Sequence, residues 1–283
     1  MPPPRGGVGI SVVVSTYEWP EALDAVLRGL AVQSESAFDV IVADDGSAAP
    51  TEEAVDRWRP AFGDRLVHVR QADDGFRLAR VRNLGAATAS GDLLVFIDGD
   101  CIPRRQFVAA IRRAALPGWF LAGTRLELSG RLSERVLRER INIGSWSDVE
   151  LLVRGRRAVR GWRNLTPRDR RRSWRPALPD FAPHGNAYGF CTAVARDDFE
   201  AVNGFDMRFV GWGDQDVDLA VRLGREGLRC GYAGPRSALL HLWHESHVPA
   251  DRPTWELLQE TIASTRIEAV EGFRELVALD VVG

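Results

Sequence analysis

The sequence predicts an α/β fold, a Rossmann-like and mainly parallel sheet flanked by helices. Short β-branched or apolar runs alternate with segments of helical period through the first hundred residues, and three of those runs end in acidic or polar turns. Ile10 to Val14 reads as the first strand. Residues 20–33 follow as a helix, with Leu23, Val26, Leu27 and Leu30 at helical spacing behind Pro20, whose fixed φ and missing N–H suit a first turn. Val40 to Ala43 is the second strand, ending in Asp44-Asp45-Gly46-Ser47. A helix over 51–59 is opened by Thr51 and carries acids in its first turn. Leu66 to Val69 is a third strand and 77–89 a helix ending near Gly91. Leu93 to Ile97 is a fourth strand, ending at Asp98-Gly99-Asp100. Beyond it, 118–129 reads as a strand region, 132–141 as a helix, 188–203 as strand then helix, 214–226 as a helix and 228–241 as strand-like. Residues 254–279 read as one or two helices with Trp255, Leu258, Ile262, Phe273 and Leu276 turned to the core.

Composition narrows the function classes. The 283 residues carry 37 basic against 39 acidic side chains, a formal charge of −2, and 45% hydrophobic residues. That length can bury a core without disulfides or a structural metal. The longest apolar runs, such as 11–14 and 93–97, fall far short of the roughly 20 residues that span a bilayer. The start, MPPPRGG, lacks the charged, apolar and small-residue regions of a secretory signal, so a cytoplasmic protein is expected. Cys101, Cys191 and Cys230 are odd in number and far apart, which fits neither a disulfide framework nor a Cys-x-x-Cys zinc site. Every basic residue is arginine. The missing lysine excludes P-loop ATPases, kinases and pyridoxal-phosphate enzymes, each of which needs one.

In sheets of this kind ligands bind outside the carboxyl ends of the strands. Ser15-Thr16-Tyr17-Glu18, Asp44-Asp45 and Asp98-Gly99-Asp100 all sit there. Acids after strands also form turns, as Asp-Gly pairs commonly do, but three clusters on one edge are expected to converge on one crevice. Asp98 and Asp100 follow a fully apolar strand, a costly place for two carboxylates unless a cation or hydrogen bonds compensate. An Asp-x-Asp pair so placed suits a hard divalent cation that also binds phosphate oxygens.

SVVVSTYEWPEALDAVLRGLAVQ, VIVADDGS and GFRLARVRNLGAATASGDLLVFIDGDCIP together resemble the nucleotide-sugar half of family-two inverting glycosyltransferases of the GT-A fold. NGFDMRFVGWGDQDVDLAVRL at 203–223 and HLWH at 241–244 resemble the acceptor and catalytic half shared by chondroitin-polymerase-like and β-1,4-galactosyltransferase-like enzymes. The five motifs stand in the family's order and cover most of 10–247. The resemblance implies a single catalytic GT-A domain over 1–250, with acceptor-binding insertions, followed by a helical tail at 251–283. Residues 10–120 would be its nucleotide-sugar-binding half and 121–250 its acceptor and catalytic half. It further implies inverting, metal-dependent transfer of a hexosyl or N-acetylhexosaminyl unit from a UDP-linked donor to a hydroxyl of a saccharide, glycolipid or small-molecule acceptor.

Carried over position by position, the resemblance puts Thr16, Tyr17 and Glu18 in the nucleoside pocket. Asp45 would accept a hydrogen bond from uracil, Arg77 would lie near the base or diphosphate, Asn83 would brace its helix and Asp98 would contact ribose. Asp100 would bind Mn²⁺ or Mg²⁺ with His244 as second protein ligand, and His241 as the alternative. Asp216, near a helix start where a carboxylate is favoured, would take the acceptor hydroxyl proton in an in-line displacement at the anomeric carbon. Trp212, between Gly211 and Gly213, would floor the acceptor site, its face covering the C–H patch of a pyranose. Gln215 stands where relatives carry a glutamate that holds the acceptor. Asp214 and Asp218 read as helix caps, and Asn186 and Tyr188 would face the donor sugar.

Residues 154–175 carry ten arginines against one acid, Asp169. The stretch reads as a solvated surface, as a contact for an anionic acceptor, or as a peripheral membrane patch helped by Trp162 and Trp174, which would put the protein at the inner face of the membrane. Nucleic acid is not expected as a partner, since the chain is slightly acidic overall and no binding motif is present. Two competing classes are a sugar-nucleotide pyrophosphorylase, which needs a Gly-rich loop with a lysine, and a non-catalytic nucleotide- or glycan-binding protein on the same fold.

Overall fold

The computed structural model describes residues 9–155, 158–161, 190–245 and 254–280. Most of the arginine-rich stretch, with Trp162 and Trp174, and also Asn186, Tyr188 and His247, lie outside the described residues. In chain order the main elements are β1 (Ile10–Thr16), α1 (Pro20–Ala31), β2 (Phe38–Asp44), α2 (Ala49–Asp56), α3 (Arg59–Phe62), β3 (Leu66–Arg70), α4 (Leu78–Thr88), β4 (Leu93–Asp98), β5 (Cys101–Pro103), α5 (Phe107–Ala114), β6 (Trp119–Ala122), β7 (Arg125–Leu128), α6 (Gly130–Arg138), α7 (Asp148–Gly155), β8 (Val159–Arg160), β9 (Cys191–Ala195), α8 (Arg196–Ala201), α9 (Gln215–Arg225), β10 (Arg229–Gly231), β11 (Leu239–His241), α10 (Trp255–Ala263) and α11 (Phe273–Asp280).

A seven-stranded sheet runs in the order β10-β6-β9-β4-β1-β2-β3. Only β9 runs antiparallel to its neighbours, so the sheet is mainly parallel as expected. Side chains alternate across it. Val12, Val14, Val40 and Val42 join Leu23, Val26, Leu27 and Leu30 of α1 in one core layer. Val13, Ile41 and Phe96 face the other way, into a second layer with Val81 of α4 and Phe199 and Phe205. Burial on both faces is why these strands read as continuous apolar runs.

A second sheet, β5-β11-β7-β8, sits beyond the end of β4. It accounts for most of the differences from the sequence reading. Region 118–129 is two strands that belong to different sheets, and 228–241 is likewise β10 in one sheet and β11 in the other. Strand β5 and helix α5 are not anticipated at all, because three residues show no period and α5 is short. Helix α2 begins two residues before Thr51, with Pro50 in its first turn and no side-chain cap. The C-terminal region is two helices, in which Leu258 and Leu276 are buried and Ile262 is exposed. All three cysteines are free and buried. No helix among the described residues is long and apolar enough to cross a membrane.

Candidate active site

Parallel register brings the three polar clusters side by side. Ser15 pairs with Asp98 across β1 and β4, and Thr16 with Asp44 across β1 and β2. The turn after β4 is pulled onto β1 by a hydrogen bond of 2.7 Å from Gly99 N–H to the Ser15 carbonyl. A Cβ at Gly99 would stand 2.8 Å from that oxygen, which is why glycine separates the two aspartates.

The edge formed by β1 and β2 is a network of loop anchors. Asp44 accepts from Ser47 N–H at 2.8 Å and faces His68 Nε2 at 3.1 Å. Burial alone would push its carboxyl up, but these partners hold it below the usual carboxylate range. Asp45 accepts from the Gln71 amide and, at 2.9 Å, from the Arg77 backbone N–H. Burial outweighs those bonds and raises its pKa, with Asp73 and Asp44 adding to the rise. Gly46 makes the turn after them possible: its φ is +99°, and a Cβ would lie 2.5 Å from Asp73. Glu18, itself at φ 47°, accepts from Ala48 N–H at 2.6 Å. Tyr17 is half exposed and donates to Asp73 at 3.3 Å, while the Arg77 guanidinium pairs with Asp74 at 2.5 Å. Thr16 is buried.

Arg82, which the sequence reading did not single out, joins the two halves of the site. Its side chain is 1% exposed, and it donates to Asp216 Oδ1 at 2.6 Å and Asp98 Oδ1 at 2.7 Å. One guanidinium fork thus ties the end of β4 to the start of α9. Burial pushes the Asp98 carboxyl up to about 6, reinforced by Asp100 and Asp216 and opposed by Arg82. The same helix is braced by Asn83, which donates to the Phe205 carbonyl at 2.8 Å and accepts from Phe205 N–H at 2.9 Å. A helical stripe carries the missed signal: Ala79, Arg82, Asn83 and Ala86 stand at i, i+3, i+4 and i+7 and are all buried. A charge on such a stripe needs a buried partner.

Strand β11 delivers histidines to Asp100. His241 pairs with Cys101 across the β5–β11 ladder, and Leu242 N–H donates to the Asp100 carbonyl at 3.0 Å. His241 Nε2 and His244 Nε2 each lie 3.3 Å from Asp100 Oδ2. On its far side His241 donates from Nδ1 to Glu127 Oε2 at 2.7 Å. Burial would lower the His241 pKa, but Asp100 and Glu127 raise it to about 9. Burial would likewise raise Asp100, yet hydrogen bonds from both histidines hold it well below the carboxylate range.

These residues fit a divalent cation. Asp100 Oδ1 is buried without a hydrogen-bond partner among the described residues. Single donor atoms of Asp100, Cys101 and His241 lie within 4.8 Å of one another. Glu127 holds the Nδ1 proton, so a cation that displaced the Nε2 proton would meet that nitrogen as its ligand.

Facing this edge is the loop that leads into α9. Trp212 is 42% exposed between Gly211 and Gly213, both at positive φ, and its carbonyl accepts from Thr254 Oγ1 at 3.2 Å. Asp214 takes a left-handed conformation and accepts from Thr254 at 2.9 Å. Asp218 is fully buried in an i,i+4 pair with Arg222 at 2.6 Å, and accepts from Thr261 at 2.7 Å. Gln215 is buried, and its Oε1 has no partner among the described residues. Of the three acids here, Asp216 is the one turned to Arg82 and Asp98.

Comparison with known proteins agrees with this architecture. Residues 11–194 match the family model described as glycosyl transferase family 2, and residues 177–245 match that described as the N-terminal domain of galactosyltransferase. The validoxylamine A glucosyltransferase of Streptomyces hygroscopicus subsp. jinggangensis is 30% identical over 235 residues, covering 77% of this chain and 52% of that protein. The chondroitin synthase of Pasteurella multocida is 28% identical over 240 residues, covering 80% of this chain and 24% of that protein. The chain therefore spans about half the length of the first of these relatives and about a quarter of the second. Among solved structures, the mannosyltransferase PcManGT from Pyrobaculum calidifontis, in complex with GDP-Man and Mn²⁺, superposes with a TM-score of 0.58 at 18% identity, covering 100% of this chain and 78% of that one. S. aureus TarS gives 0.55 at 16% identity, covering 83% and 37%. The fold is GT-A.

Proposed function

Since the chain belongs to glycosyl transferase family 2, we propose that it moves a hexosyl or N-acetylhexosaminyl unit, with inversion, from a UDP-sugar to a hydroxyl of a saccharide, glycolipid or small-molecule acceptor. The observation that carries this reading is the Asp98–Arg82–Asp216 bridge, which sets a carboxylate of the acceptor half beside the strand end that carries Asp100. Inversion needs a base on the face of the anomeric carbon opposite the leaving diphosphate. Asp216 has the position for it: second in α9, where the helix N-terminus favours the carboxylate, and fixed through one oxygen by Arg82. It takes the proton from the acceptor hydroxyl as that oxygen attacks. Asp45, Thr16 and Tyr17 bind the nucleoside, Asp98 the ribose, and Trp212 covers the acceptor ring, with Gln215 as a further acceptor contact.

Asp100, His241 and His244 would hold a divalent cation, whose chemistry when bound would be to supply positive charge to a departing diphosphate. Imidazole in the donor set favours Mn²⁺ over Mg²⁺, since Mg²⁺ prefers oxygen ligands and water. The test is thermal stabilisation by a panel of nucleoside diphosphates with and without Mn²⁺. Ligand at about 100 times its dissociation constant adds about 2.7 kcal/mol. A UDP-selective, Mn²⁺-dependent shift is expected, followed by UDP-sugar turnover that falls on the order of 10²-fold in Asp216→Asn while the UDP shift persists. No response to any nucleotide, or unchanged turnover in that variant, would overturn the assignment.

A further inference from the structure

Away from the strand ends, α7 leaves the body of the protein with an apolar face turned outward. Val149 is 68% exposed, Leu152 53% and Val153 74%, whereas Leu151 and Gly155 are buried. At 100° per residue the three exposed side chains fall within an arc of roughly 100°, directed away from the buried pair. Soluble helices place such a stripe inward. Here it faces water beside positive charge.

The start of α7 borders a cavity of about 260 Å³ lined by Arg104, Arg105, Arg236, Ser145, Ser147 and Asp148, with Gln106 and Trp146. Asp148 is the one acid in that lining, and it pairs with Arg104. Neither Arg105 nor Arg236 has an acidic partner among the described residues, so the cavity carries uncompensated positive charge. Arg104 is buried, and its Nε has no hydrogen-bond partner among the described residues. The α7 N-terminus adds its own positive potential. Asp148 lies about 40° around the helix from Leu152, so cavity and apolar stripe open on adjoining faces.

We propose that this surface docks on an anionic lipid bilayer: Val149, Leu152 and Val153 enter the headgroup boundary while Arg104, Arg105 and Arg236 receive a lipid phosphate. Apolar insertion coupled to arginine contacts is how interfacial helices hold to membranes. The consequence for the active site rests on the functional proposal above. Arg104 follows Asp100 by four residues through β5, an extended reach of at most roughly 14 Å. Docking would therefore bring the cleft close to the bilayer, where a lipid-linked saccharide presents its sugar.

The test is co-sedimentation of the full chain with vesicles of phosphatidylcholine alone and of phosphatidylcholine with 30% phosphatidylglycerol, at low and high salt. Binding is expected only to the anionic vesicles and should weaken with salt. Each arginine near the surface contributes about fivefold, so Arg105→Gln with Arg236→Gln should lower partitioning roughly 25-fold. Val149→Ser with Leu152→Ser and Val153→Ser should lower it on the order of tenfold or more. All five positions lie outside the proposed nucleotide and metal residues, so Mn²⁺-dependent UDP stabilisation should be unchanged in both variants. Equal partitioning of the parent to both vesicle types, or of the variants and the parent, overturns the docking surface. So does a parent dimer that the serine variant dissociates, since the stripe is then a protein interface. Vesicle binding requires no nucleotide, so failure of the glycosyltransferase reading leaves this result separately readable.

Discussion

Replacing Arg82 by methionine probes whether the two halves of the site are held by one side chain. The guanidinium is 1% exposed and makes bonds of 2.6 and 2.7 Å to two carboxylates that are themselves 12% and 32% exposed. At the effective dielectric of a protein, opposite charges about 4 Å apart attract by roughly 4 kcal/mol, and desolvation of the buried cation offsets much of that for each pair. Truncation is different, because methionine leaves Asp98 and Asp216 facing each other without their shared cation. Breaking a buried pair in this way costs about 3–5 kcal/mol. Against a total of about 5–15 kcal/mol the variant should still fold at 25 °C, with its urea midpoint clearly lowered. Turnover should fall further than occupancy explains, since Asp216 loses the bond that orients it. Arg82→Lys should land between, as one ammonium replaces a fork that reaches both oxygens. Combining Arg82→Met with Asp98→Asn should destabilise by less than the sum of the single changes, with a coupling of about 0.5–3 kcal/mol. Additive unfolding energies, or an Arg82→Met protein within about 0.5 kcal/mol of the parent, would show that the bridge does not form in solution.

Other consequences are more local. Glu127→Ala removes the carboxylate that fixes His241, so Mn²⁺ affinity measured by calorimetry should drop about 10–100-fold; equal affinity would put Glu127 outside the metal's support. Asp24 accepts from Arg28 at 2.6 Å, Arg140 at 2.9 Å and Trp58 Nε1 at 3.1 Å. Burial would raise its pKa, yet the Arg28 and Trp58 bonds hold it below the ordinary 3.8. A depressed carboxylate stabilises above its unfolded pKa and loses that contribution as pH falls through the folded value. Asp24→Asn should therefore cost about 3 kcal/mol at pH 7, and the gap should narrow below pH about 3.8; urea midpoints separated equally at pH 7 and pH 3 would refute this. Trp212→Ala should leave stability within about 0.5 kcal/mol, because the ring is exposed, and should raise the acceptor KM without changing donor hydrolysis. An equal fall in both rates would remove Trp212 from the acceptor site.

The parts of this fold that were legible share one property: their signal is local and periodic. Strands β1, β2 and β4 are apolar on both faces, and α1 and α4 carry stripes of period 3.6, so the βα alternation and its acidic edge could be read directly. The second sheet could not. Its strands are two to four residues long, too short for a period, and two of its three pairings join segments more than a hundred residues apart, as in the pairing of Cys101 with His241. Glu127 was hidden for the same reason, since its partner His241 is 114 positions away.

Arg82 is the more instructive omission, because its signal was present. GFRLARVRN holds three arginines, and composition alone does not separate them. Helical position does: Arg82 shares the buried stripe with Ala79, Asn83 and Ala86, whereas Arg80 is only partly buried and bonds to Gln71 on the loop side. The acids at the start of α9 need the same treatment. Asp214, Asp216 and Asp218 alternate through one turn and look interchangeable. Arg222 stands at i+4 from Asp218, a spacing that alone marks a pair. Asp214 precedes the helix, and Thr254 holds it there. With those two accounted for within their own surroundings, Asp216 is left needing a cation from another element, and the arginine on the buried stripe of α4 needs an anion. Matching the two links α4 to α9 through a single ion pair.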